Sequence, residues 1–108
     1  MSLAVRMVNL YKYLTEEKKE YVLSKQVLRS GTSVGAMVYG SEHSETTSDF
    51  IHKLAIAQKE INETLYWLEL LSRTDYITPK EYDSIRTDAT EVIKLLTSIL
   101  ETTKKQQQ

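Results

Sequence analysis

Gly31-Thr32-Ser33-Val34-Gly35-Ala36 lies inside an otherwise helical stretch that runs from Tyr21-Val22-Leu23-Ser24-Lys25-Gln26-Val27-Leu28-Arg29-Ser30 into Met37-Val38-Tyr39. Each glycine in a helix interior costs about 1 kcal/mol relative to alanine. Two of them four residues apart share one helix face, so the run reads as a surface on which another helix packs closely. Ser33, between them, reads as a further small interface residue.

On either side of this run, apolar spacing defines four helices. The first covers about residues 3–14, with Met7, Leu10, Tyr11 and Leu14 on one side. The second covers about 18–40; acidic residues before it suit a helix start, and it carries Tyr21, Leu23, Val27, Leu28, Val34 and Val38. Turn-forming residues from Gly40 to Glu45 end it. The third covers 46–73, capped by Thr46 with Asp49 three positions on, and Phe50, Leu54, Ala57, Ile61, Leu65, Leu68 and Leu71 follow at steps of three and four. Thr78-Pro79-Lys80-Glu81 is a capping box with proline at the first helical position. It opens a fourth helix over 79–103, bearing Tyr82, Ile85, Ala89, Val92, Leu96 and Ile99, with a frayed tail at 104–108.

No strand-like alternation competes with these periods, and the connections are short. The expected fold is therefore all-α: a single domain over residues 1–108, folded as an up-and-down antiparallel four-helix bundle. The apolar stripes are wider than one bundle interior needs. Helix three also carries Ile51, Ile56, Tyr66, Trp67 and Leu70, and helix four carries Ile93, Leu95 and Leu100. Part of that surface should face another subunit, so Gly31, Ser33, Gly35, Ile56, Tyr66 and Trp67 are the candidates for helix contact and oligomer formation. The alternative is that the aromatic residues lie along the bundle rim with their polar atoms wet.

Composition excludes several function classes. Lys plus Arg is 14 and Asp plus Glu is 15, a net charge of −1, so no global field draws the chain to nucleic acid or to an anionic membrane. Cysteine is absent, which removes disulfides, thiolate metal sites and thiol catalysis and fits a reducing cytoplasm. No stretch approaches the ~18 uninterrupted apolar residues of a membrane span.

The chemical motifs are weak. Gly31-Thr32-Ser33-Val34-Gly35 matches G-x-S-x-G, but that chemistry needs serine on a strained strand-to-helix turn, and helix surrounds it here. His43 and His52 stand among Glu42, Glu45 and Asp49, without the Glu-x-x-His pairs with which bundle proteins hold metals. No catalytic set, metal, cofactor or small-molecule substrate is expected. Lys18, Lys19, Lys25 and Arg29 form a candidate basic ridge along helix two, able to contact phosphates if a ring of subunits repeats it, although Glu16, Glu17 and Glu20 sit close by.

Three segments carry a family resemblance: Gln26-Val27-Leu28-Arg29-Ser30-Gly31-Thr32-Ser33-Val34-Gly35-Ala36, Ser48-Asp49-Phe50-Ile51-His52-Lys53-Leu54 and Glu63-Thr64-Leu65-Tyr66-Trp67-Leu68-Glu69-Leu70-Leu71. In this order and spacing, over most of the chain, they resemble the four-helix-bundle family of proteins encoded in intervening sequences of 23S ribosomal RNA. More distantly, the chain is similar to accessory proteins of diversity-generating retroelements. The resemblance implies a non-enzymatic protein of a bacterial cytoplasm, assembled into a homo-oligomeric ring, most plausibly a pentamer. It departs from the family pattern at Met37 and Gly40, where relatives commonly carry Asn and Glu. The leading expectation is thus an oligomeric interaction scaffold whose partners are copies of itself and another protein. The alternative is an RNA- or DNA-binding accessory factor acting through the repeated basic surface.

Overall fold

Helix α1 (Ser2–Glu16) buries Leu3, Met7, Leu10 and Leu14, spaced four, three and four apart, as one continuous stripe. The computed structural model describes residues 2–106, and among them it contains three further helices and no strand: α2 (Leu23–Ser41), α3 (Thr47–Arg73) and α4 (Pro79–Gln106).

The start of α2 corrects the sequence expectation. Residues 17–22 form a connection rather than the first turn of a helix. Lys19 takes the left-handed conformation, φ 55°, that commonly closes a helix, and the Glu20 N–H donates to the Leu14 carbonyl at 2.9 Å. The Glu20 carboxylate then accepts from the backbone N–H groups of Val22, Leu23 and Ser24 at 3.3, 3.0 and 2.8 Å. Those are the donors a helix start leaves without partners. Ser24 Oγ closes the motif by donating to the Glu20 carbonyl at 2.9 Å. Tyr21 is consequently exposed rather than part of the core stripe.

The other starts follow the sequence signals. Thr46 Oγ1 accepts from the Asp49 N–H at 3.0 Å. Thr78 and Glu81 exchange reciprocal hydrogen bonds, Thr78 N–H to Glu81 Oε1 at 2.9 Å and Glu81 N–H to Thr78 Oγ1 at 3.1 Å. At the other end, α4 stays helical through residues 104–106, where a frayed tail was expected. Lys104 and Lys105 in its last turn suit the negative end of the helix dipole. Gln107 and Gln108, also assigned to that tail, lie outside the described residues.

Each helix packs on its sequence neighbour, and α1 also meets α4; the backbones of α1 and α3 stay apart, as do those of α2 and α4. The pairs run antiparallel. Gly31 faces Met7 while Gly35 faces Ala4, and Lys53 reaches Gly40 while Thr64 reaches Ser30. Arg6 meets Asp88, and Gln58 meets Thr97. The helices thus occupy four corners of a rod measuring 49 × 22 × 18 Å. Its core joins the α1 stripe to Val27, Val34, Leu54, Ala57, Ile61, Leu68, Leu71, Ile85, Ala89, Leu96 and Leu100, with Ile77 closing one end.

Helix lengths are unequal. At 1.5 Å per residue α1 spans about 22 Å and α4 about 42 Å. Leu3 is level with Val92, and the two residues line the same cleft, so α4 continues for more than three turns past the start of α1.

Candidate interaction surfaces

Gly31 and Gly35, on one face of α2, meet α1 of the same chain. A Cβ on Gly31 would collide with Met7, whose Cγ occupies its place and whose Sδ lies 2.8 Å away. Gly35 is different, because a Cβ there would sit 3.5 Å from the Ala4 Cβ, an ordinary contact. Ser33 is half-buried in the middle of α2, where the strand-to-helix turn of a hydrolase serine does not form.

The seam between α2 and α3 is polar. Thr64 Oγ1 lies 2.9 Å from Ser30 Oγ and 2.8 Å from the Glu60 carbonyl, and Ser30 Oγ donates to the Gln26 carbonyl at 2.9 Å. Arg29 reaches across the seam to Glu60 at 3.3 Å and Glu63 at 2.5 Å. The hydrogen bond from Arg29 holds the Glu63 carboxyl below its usual range, and the same bond raises the guanidinium. Glu63 therefore turns to Arg29 and makes no ion pair with Lys59 four residues back. Trp67, one turn further along α3, is half-buried with its ring edge-on to Tyr66, centroids 4.9 Å apart. Its indole N–H lies near Glu63 without reaching hydrogen-bonding geometry, so the buried Nε1 has no partner. Ile56 is half-buried on the same helix, and Tyr66 is 58% exposed.

The basic candidates do not form one ridge. Lys18 and Lys19 lie in the α1–α2 connection, Lys25 is exposed on the first turns of α2, and Arg29 is engaged by α3 carboxylates. The Lys18 ammonium stands 5.9 Å from the Tyr13 ring centroid. Two carboxylates near these lysines, Glu20 and Glu81, serve helix starts. Burial raises the Glu20 carboxyl, but its bonds from Ser24, Leu23 and Val22 outweigh this and leave it lowered. The Thr78 backbone N–H, chiefly, lowers Glu81.

Sequence reading missed an apolar cleft of about 360 Å³ at the end where α1 begins. Leu3 and Ala4 of α1, Val34, Gly35, Val38 and Tyr39 of α2, and Val92 and Leu95 of α4 line it, with Glu42 at its edge. Tyr39 is 62% exposed and Leu95 60%. The width of the α4 stripe was a signal for Leu95. His43 packs its ring on Tyr39 at 5.3 Å and His52 is exposed on α3. Among the described residues no three His, Asp or Glu side chains gather where they could hold a metal ion. No described helix is long and apolar enough to cross a membrane.

These features define an all-α, four-helix protein with a polar central seam and an apolar cleft at one end. The chain belongs to the 23S rRNA-intervening sequence protein family, whose model matches residues 1–98. It is similar to a protein of unknown function from the S23 ribosomal protein family of Bacteroides thetaiotaomicron. That crystal structure superposes with a TM-score of 0.90 at 60% sequence identity, over 92% of each chain. Comparison with curated proteins finds no match.

Proposed function

We propose that this chain is a non-enzymatic scaffold of the bacterial cytoplasm that assembles with copies of itself into a ring of five subunits. One observation carries the reading. Val5 and Val8 on α1 are 52% and 38% exposed, and Tyr66 is exposed on α3. The Met7–Gly31 and Ser30–Thr64 contacts put these residues at the same level of the rod, within about one helical turn. Helices α1 and α3 stand at diagonal corners, so their outer faces look away from one another. Two different patches facing apart at one level suit a head-to-tail contact, which closes into a ring when the rotation permits.

Light scattering on the native protein tests the reading. The expected mass is five times that of the chain, falling to one chain in Val8→Glu or Tyr66→Glu with helix content retained. A wild-type protein that runs as a monomer overturns it.

A second reading, binding of RNA or DNA, is favoured by the lysines of the α1–α2 connection. Lys18, Lys19 and Lys25 make no ion pair among the described residues, while Glu20 is committed to the start of α2 and Glu81 to that of α4. Repeated around a ring, such cations would give affinity that falls steeply with salt. An RNA pool that leaves the protein unshifted at low salt removes this reading.

A further inference from the structure

Helices α1 and α3 run parallel, since each is antiparallel to α2. Met7 lies opposite Gly31, and Ser30, the neighbour of Gly31, lies opposite Thr64. Met7 is therefore level with Glu63 to within about one residue, or ~1.5 Å. Every α1 position thus has a counterpart at its own height on α3. Val8 stands between the heights of Asn62 and Tyr66, Lys12 is level with Leu68 and Glu16 with Ser72.

Val5, Val8, Lys12 and Glu16 follow at steps of three and four along the exposed side of α1, and Lys59, Asn62, Tyr66, Glu69 and Arg73 do the same on α3. On α1 the charged pair reads cation then anion. On α3, within about 3 Å of the same heights, Glu69 and Arg73 read anion then cation. Those two touch each other at 3.4 Å, while Lys12 and Glu16 make no ion pair among the described residues. Laid side by side in parallel, the two faces bring unlike charges together at both heights. Nearer the start of α1, Val5 and Val8 would meet Asn62 and the Tyr66 ring. Lys59 falls level with Val5, where the outer face of α1 holds no cation, because Arg6 is turned to Asp88 on α4.

One face of the chain thus complements another face of the same chain, in charge and in height, and this identifies the occupant as a second copy. Pairing about a two-fold axis accounts for less. If α1 lay antiparallel on the α1 of another copy, Lys12 would meet Glu16, but Val5 and Val8 would lie beyond the end of the partner helix at Glu16.

We propose that α1 of one subunit packs in parallel on α3 of the next at the same height, with Val5 and Val8 covered by the partner's Asn62 and Tyr66, Lys12 paired with the partner's Glu69 and Glu16 with the partner's Arg73. The ion pairs set register and orientation more than affinity, as flanking charges do in coiled coils. A contact that keeps height aligns the ring axis with the rod, so every α1–α2 connection, with Lys18 and Lys19, lies on one face of the ring. The proposal rests on the ring reading, whose contact it specifies residue by residue.

The chain contains no cysteine, so introduced pairs report the contact directly. Val8→Cys combined with Asn62→Cys, treated with a short bis-maleimide cross-linker, should give a ladder of covalent oligomers on a denaturing gel. Neither single variant should link, and neither should Val8→Cys with Arg73→Cys, which lie about 14 Å apart in height. Lys12→Glu and Glu69→Lys should each raise at least tenfold the concentration at which the assembly dissociates, with circular dichroism unchanged, and the two combined should recover most of that loss. Dimers from Val8→Cys alone overturn the proposal, because the contact would then be two-fold. So does a wild-type ring, shown by native mass, in which the double cysteine variant does not link or the combined charge reversal recovers nothing; either outcome leaves the ring standing. A monomeric wild type overturns the ring and this contact together.

Discussion

Met7 and Gly31 interlock: the thioether of Met7 on α1 lies in the space a side chain at position 31 would need, with Sδ 2.8 Å from where a Cβ would stand. Helix α2 therefore requires glycine at that position. The same helix does not require it at 35, where a Cβ would meet Ala4 at 3.5 Å, or at 40, where it would meet the Lys53 Cδ at 3.6 Å. Gly31→Ala should destabilise the fold by about 1–3 kcal/mol through overpacking. Gly35→Ala and Gly40→Ala should each stabilise it by about 0.5–1 kcal/mol by restricting the unfolded chain. Urea midpoints at fixed chain concentration separate the three; equal effects at all positions would refute this account.

Glu20 makes stability depend on pH. Its folded-state carboxyl is lowered from an ordinary value of 4.5, so its contribution is complete above that value and is lost as pH falls through the folded-state value. Glu20→Ala should cost about 1 kcal/mol at pH 7, the range of a lost helix cap. Between pH 6 and pH 3 the wild-type urea midpoint should fall more steeply than that of Glu20→Gln. Parallel curves for the two proteins would show that the carboxylate does not hold the start of α2.

Ser30 and Thr64 form a buried hydroxyl pair, so removing one partner should cost more than removing both. Thr64→Val leaves Ser30 Oγ without its partner across the seam and should destabilise by about 1 kcal/mol. Ser30→Ala combined with Thr64→Val should come closer to wild type than the sum of the single changes. A double-mutant cycle of chemical denaturation reads the coupling, and additive values would show that the contact contributes nothing.

Trp67 carries a buried N–H without an acceptor, a group that costs free energy wherever no hydrogen bond compensates it. Trp67→Phe keeps an aromatic ring against Tyr66 and removes that donor, so it should be neutral or stabilising by up to about 1 kcal/mol. Trp67→Ala should destabilise, by about 3 kcal/mol, through lost packing. A phenylalanine variant as unstable as the alanine variant would mean that the indole N–H does find an acceptor.

Much of the fold was legible because its signals are local. The stripe Leu54, Ala57, Ile61, Leu68 and Leu71 follows the helical period whatever lies opposite, and it is buried throughout. The Thr46 and Thr78 caps need only residues three apart. The start of α2 was misread because Glu20 caps it from outside the helix, and that depends on the turn made at Lys19, a left-handed lysine that no residue preference announces.

The sequence by itself determined the four helices, two of their starts and the family, because period, capping chemistry and ordered motifs reside in neighbouring residues. Only the tertiary structure decided what Gly31 packs against, that Arg29 is taken up by Glu60 and Glu63, and where the bundle stays open. Those outcomes depend on the relative levels of helices that are distant in the chain. A helix carries its own period in its residues, but the level at which it stops beside a neighbour is set by how both pack.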